Sequence, residues 1–233
     1  MKLAVPICLV CLLLTAIGAS AGVTGTTDPT LFPNTVDWCA QAAFSCSGDI
    51  PTTPQPFTSA YGTQGQVGLV FTGQNFQVLQ EGSSHFGGSF PDGMGLIYTG
   101  VTTLGNFPDA IGVVFAGPQW GVGAYIQPYW YGSFTAEIVL FGTGGSLGTY
   151  VVSGNSTDQP SDLLFIGARD SSRDVTAALF YTTMGSGHDG DFEIGTLGLA
   201  TPEPASIVLM APSVLGLFGI VRYRRSRKSQ EVL

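Results

Sequence analysis

The run Phe134-Thr135-Ala136-Glu137-Ile138-Val139-Leu140 alternates strictly, with apolar residues at the even positions and Thr135 and Glu137 between them. Successive side chains of an extended chain point to opposite faces, so this run reads as a strand with one face on a core and the other toward water. Ile111-Gly112-Val113-Val114-Phe115 puts three apolar residues on one face. Val114 between them is expected to be buried too, as in an inner strand. Working outward, β-rich runs separated by Gly or Pro fall at 67–72, 76–80, 94–98, 111–115, 121–127, 135–141, 149–153, 163–168, 175–181 and 192–199. No amphipathic helical stretch interrupts them, so the expected fold is all-β, a single β-sandwich over residues 67–200. Gly88, Gly117, Gly144-Gly145, Gly154 and Gly187 are read as hairpin turns. Residues 22–66, rich in Gly, Thr, Pro, Ser and Gln, are expected to be irregular. Within them, 36–44 is expected to form one helical turn or a short strand, packed onto the domain by Trp38 and Phe44.

The two ends read differently. Met1-Lys2, an apolar stretch and Ala19-Ser20-Ala21 have the order of a signal peptide, predicting a mature chain that starts near Gly22. At the other end, Pro202-Glu203-Pro204 precedes 17 uncharged residues, Ala205 to Val221, with Pro212 among them. As a helix this run spans roughly 25 Å, against a bilayer core of about 30 Å. Arg222, Arg224, Arg225, Arg227 and Lys228 follow and predict a cytoplasmic stop after a transmembrane helix. The order Pro-Glu-Pro, apolar span, basic cluster resembles the PEP-CTERM sorting signal, also labelled the ice-binding protein C-terminal motif. The resemblance implies an exosortase-type processing enzyme as partner and a sorting and anchor segment at 201–229. It also implies an exported protein, at the cell surface or outside it, held by the membrane until or unless the tail is processed.

Looser patterns resemble the jelly-roll-like sandwich domain common among PEP-CTERM proteins: Gly121-Val122-Gly123-Ala124-Tyr125-Ile126, Gly132-Ser133-Phe134-Thr135-Ala136, Gly148-Thr149-Tyr150, Phe165-Ile166-Gly167 and Asp191-Phe192-Glu193-Ile194. Relatives often carry an acid after that last isoleucine, where this chain has Gly195.

Charge narrows the partners. Residues 22–200 hold 14 acids against Arg169 and Arg173 alone, a net charge near −12. Such a surface repels nucleic acid and anionic lipid, while neutral polysaccharide and calcium are compatible with it. In an exported chain Cys39 and Cys46 are expected to form a disulfide around a small loop.

Three constellations could carry chemistry. Gly144-Gly145-Ser146-Leu147-Gly148 matches a nucleophile elbow and Gly185-Ser186-Gly187-His188-Asp189-Gly190 a dinucleotide loop, but each motif needs a helix after it and here strands follow. Asp189, Asp191 and Glu193 alternate, so extended backbone turns them to one side, where they could hold a structural calcium ion; the bland reading is solvated loop acids. Trp120, Tyr125, Tyr129, Trp130, Tyr131 and Phe134 crowd into 15 residues. Trp120, Tyr129, Trp130 and Tyr131 either form a sugar-stacking platform or fill the core. The reading that results is a protein without catalysis or cofactor, structural or adhesive in an exopolysaccharide layer. The alternatives are a carbohydrate-binding module and, further off, a secreted hydrolase whose paired carboxylates no spacing identifies.

Overall fold

The computed structural model describes residues 22–46, 54–69, 76–82, 89–99, 110–184 and 191–201. Among the described residues, thirteen strands make two antiparallel sheets: β1 (Val23–Thr26), β2 (Asn34–Val36), β3 (Gln55–Thr58), β4 (Gln64–Leu69), β5 (Gln77–Gln80), β6 (Gly95–Tyr98), β7 (Ile111–Gln119), β8 (Gly121–Pro128), β9 (Gly132–Gly142), β10 (Gly145–Ser156), β11 (Leu164–Asp170), β12 (Val175–Met184) and β13 (Phe192–Leu199). One sheet runs β1-β11-β8-β13-β6-β5, with β2 also on β13; the other runs β10-β9-β12-β7-β4-β3. From β7 onward the chain crosses repeatedly between them, and only β9 and β10 are consecutive partners in one sheet.

The alternation in 134–140 is realised. Phe134, Ala136, Ile138 and Leu140 are all buried, and with Ile111, Val113, Phe115, Ile126, Ile166, Phe180 and Ile194 they form one core between the sheets. All ten expected strands are present, several of them longer than the sequence suggested.

Four expectations need correction. Among its described residues the stretch 22–66 is not irregular: β1, β2 and β3 lie in it and join both sheets. Its short 3-10 turn Trp38–Ala40 is capped by the Asp37 side chain, and Trp38 and Phe44 are buried as expected. Val114 is 55% exposed, because no layer among the described residues covers the outer face of its sheet there. Gly117 and Gly154 lie inside β7 and β10 rather than in turns. A methyl group at Gly154 would meet the Phe134 ring at 2.7 Å, so this glycine makes room across the strand pair. The Gly144-Gly145 turn is real: Gly145 has φ 113°, and the strand β10 follows where an elbow would need a helix. Gly88 and Gly187 lie outside the described residues.

The Cys39–Cys46 disulfide is formed, with 5.4 Å between the two Cα atoms. Among the described residues no helix is long and apolar enough to cross a membrane. Residues 1–21, the Pro202-Glu203-Pro204 motif, the apolar run and the basic cluster lie outside the described residues.

Candidate functional site

Strand β8 sets the geometry, because the expected aromatics stand at its two ends. Trp120 forms a one-residue corner between β7 and β8. Its carbonyl accepts the Asp170 N–H at 2.7 Å, and its ring is half-buried against the cluster of Phe32, Phe165 and Ala200. A cavity of about 310 Å³ beside it is lined by Gly22, Thr24, Leu31, Arg169 and Asp170. Arg169 donates from Nη2 to the Thr201 carbonyl at 3.0 Å, and Ala200 N–H to the Gly121 carbonyl at 3.0 Å. Residues 22 and 201, where the described domain begins and ends, therefore share the Trp120 pole.

Tyr129, Trp130 and Tyr131 make the turn from β8 into β9, closed by Gly132 at φ 131°. They stand ten residues from Trp120, about 30 Å along extended chain. Tyr98, buried at the end of β6, supports the Tyr129 ring at 5.7 Å between centroids. Trp130 meets Tyr129 edge-on at 5.2 Å and an interplanar angle of 88°. The Tyr129 N–H donates to the Asp191 carbonyl at 3.0 Å, tying the turn to the start of β13. On this footing Trp130 is 45% and Tyr131 56% exposed. The sequence cluster thus divides: Trp130 and Tyr131 share one pole, where Trp130 packs on Tyr129, and Trp120 occupies the other.

The expected acidic group is also placed unexpectedly. Asp191 and Glu193 are buried, at 6% and 2% exposure, and Asp189 lies outside the described residues. Glu193 sits in register between Tyr98 of β6 and Gln127 of β8. Its face of the sheet is the outer one, covered by a second apolar cluster of Leu79, Phe90, Leu96 and Tyr98 with Met94, Tyr125 and Tyr129 against it. Gln127 fastens that cover: its Oε1 accepts the Ser89 N–H at 2.9 Å, and its Nε2 donates to Ser156 Oγ at 2.7 Å and to the Thr157 carbonyl at 3.0 Å. Burial first, and then the charges of Glu81 and Asp191, push the Glu193 carboxyl well above the usual carboxylate range. Burial also raises Glu81, with Asp92 adding to the effect against a backbone hydrogen bond from Gly82. Glu193 Oε2 and Glu81 Oε2 have no hydrogen-bond partner among the described residues. Among the described residues no three acids, histidines or cysteines stand together as metal ligands.

Glu81 carries no signal in the sequence as a neighbour of Glu193, since 112 residues separate them and only the folded sheet brings them together. The other loop acids serve turns. Asp170 accepts the N–H groups of Ser172 and Asp174 and the Ser172 hydroxyl, while Asp162 accepts the Thr157 hydroxyl at 2.7 Å. Gly195 has little space for a side chain. A methyl there would lie 2.5 Å from Met94 Sδ and 3.0 Å from Phe90 Cε1. Its carbonyl takes the Trp38 indole N–H at 2.6 Å.

No protein-family model and no curated protein matches the chain. Among solved structures, a DUF4465 family protein from Bacteroides caccae aligns with a TM-score of 0.39 at 12% identity, covering 70% of this chain and 98% of its own. At that level of likeness the reading of function rests on this chain's own residues.

Proposed function

We propose that the chain is an exported, non-catalytic β-sandwich protein of the cell surface or extracellular matrix, sorted by a PEP-CTERM tail through an exosortase-type enzyme. Its work is structural or adhesive, and its Trp130–Tyr131 pole contacts neutral polysaccharide of the exopolysaccharide layer. One observation carries the polysaccharide contact: the exposed Trp130 ring packs edge-on against Tyr129, itself supported by the buried Tyr98, at the pole opposite Thr201, with exposed Tyr131 next in the same turn. A tail anchored in a membrane beyond Thr201 leaves those rings on the far side of the domain. The net charge near −12 fits an uncharged polymer rather than a polyanion.

The test is retention of the full mature chain on a panel of soluble and insoluble polysaccharides, with and without calcium. An aromatic contact of about 1.5 kcal/mol makes Trp130→Ala bind roughly tenfold more weakly. Tyr61→Ala, which removes a ring 70% exposed on another part of the surface, leaves retention unchanged. Absence of retention on every sugar, or equal loss in both variants, refutes the ring-pair contact.

A further inference from the structure

We propose that the cavity beside Trp120 seats the segment that follows Thr201, with the Glu203 carboxylate on the Arg169 guanidinium and Pro202 and Pro204 against the Trp120 ring. The contact goes beyond the sorting reading and does not depend on it, since it stands whether or not the tail is processed. Chain connection comes first. The Ala200 N–H donates to the Gly121 carbonyl, and Arg169, which lines the cavity, holds the Thr201 carbonyl at 3.0 Å. The next residue, Pro202, therefore leaves from beside the cavity. Each proline fixes its own φ and biases the residue before it toward extended backbone. At about 3.1 Å per residue, Glu203 begins about 6 Å beyond Thr201, within reach of the same arginine.

Charge and shape agree on this occupant. Arg169 and Arg173 are the two bases of residues 22–200, against 14 acids, and both stand at the Trp120 end. Arg173 Nε donates at 3.1 Å to the carbonyl of Pro118, two residues before Trp120. Glu203 is the one acid between Glu193 and Glu231, so the segment brings a single carboxylate to a basic pole. The Asp170 carboxylate that also lines the cavity is turned to its own loop, accepting from the N–H groups of Ser172 and Asp174. Trp120 adds a half-buried ring to the cavity wall, and Leu31 an exposed apolar side chain. Proline segments dock on aromatic-lined grooves at small entropic cost because they are already extended. An acid from another molecule arrives from bulk solution, whereas Glu203 is tethered two residues away at high effective concentration.

Acrylamide quenching of tryptophan fluorescence, in the full mature chain held in non-ionic detergent, tests this. Of the three tryptophans, Trp38 is fully buried and Trp130→Phe removes the exposed one, so quenching reports Trp120. In that background Glu203→Lys sets like charges together and lowers the docked population about fivefold, read as a rise in quenching. High salt narrows the difference by screening the pair. Arg169→Glu gives the same rise, and Arg169→Glu combined with Glu203→Arg restores protection. Unchanged quenching in Glu203→Lys overturns the proposal; that substitution lies beyond the last strand and decides alone if the Arg169 variants fail to fold. A charge-swapped pair that folds, yet stays as quenched as Arg169→Glu, overturns it equally.

Discussion

Replacing Glu193 by glutamine is expected to change the pH dependence of stability more than stability itself. In the folded protein the carboxyl lies well above the ordinary range because it is buried among Glu81, Asp191 and Gln127. In the unfolded chain it ionises near 4.3. Above that pH the native state retains a proton that the unfolded state has lost, so stability falls as pH rises until the folded carboxyl itself ionises. The slope approaches about 1.4 kcal/mol per pH unit wherever the unfolded carboxyl has ionised and the folded one has not. The amide of the Glu193→Gln variant has no ionisable proton, which removes this contribution. The assay is thermal or urea unfolding of both proteins from pH 5 to 8. The variant gains on the wild type in melting temperature as pH rises across that window. Parallel pH profiles for the two proteins refute the reasoning.

Two further outcomes follow from the packing. Gly195→Ala forces a methyl group against Met94 and Phe90 and lowers stability by about 1–3 kcal/mol in urea unfolding; a neutral result means that the cover over Glu193 shifts freely. Reduction of the Cys39–Cys46 disulfide frees a short loop and costs roughly 2–3 kcal/mol, read as a lower melting temperature in reductant; an unchanged melt means that Trp38 and Phe44 hold the loop without it.

The β-branched runs made the ten main strands legible, because a strand's side-chain period survives in sequence without tertiary help. Strands β1 to β3 were not, since Val-Thr-Gly-Thr, Asn-Thr-Val and Gln-Pro-Phe-Thr are too short and too polar to show that period. Val114 and Glu193 fail in opposite directions. Which face of a sheet is covered depends on loops elsewhere, and here segment 89–94 lies over Glu193 while Val114 has no such layer among the described residues. The aromatic crowding in 120–134 was legible as composition only. An eight-residue strand in its middle sends Trp120 and Trp130 to opposite ends of the molecule.

The pairing of first strands with last has a consequence for delivery. The Trp38 indole reaches a carbonyl 157 residues downstream, β1 zips to β11, and β2 to β13. A chain threaded from its N-terminus through an export channel cannot complete both closures until Leu199 has emerged. Until then many of its non-local contacts are unmade, and such contacts form slowly. If the chain is exported as proposed, this topology delays closure of the sandwich until threading ends.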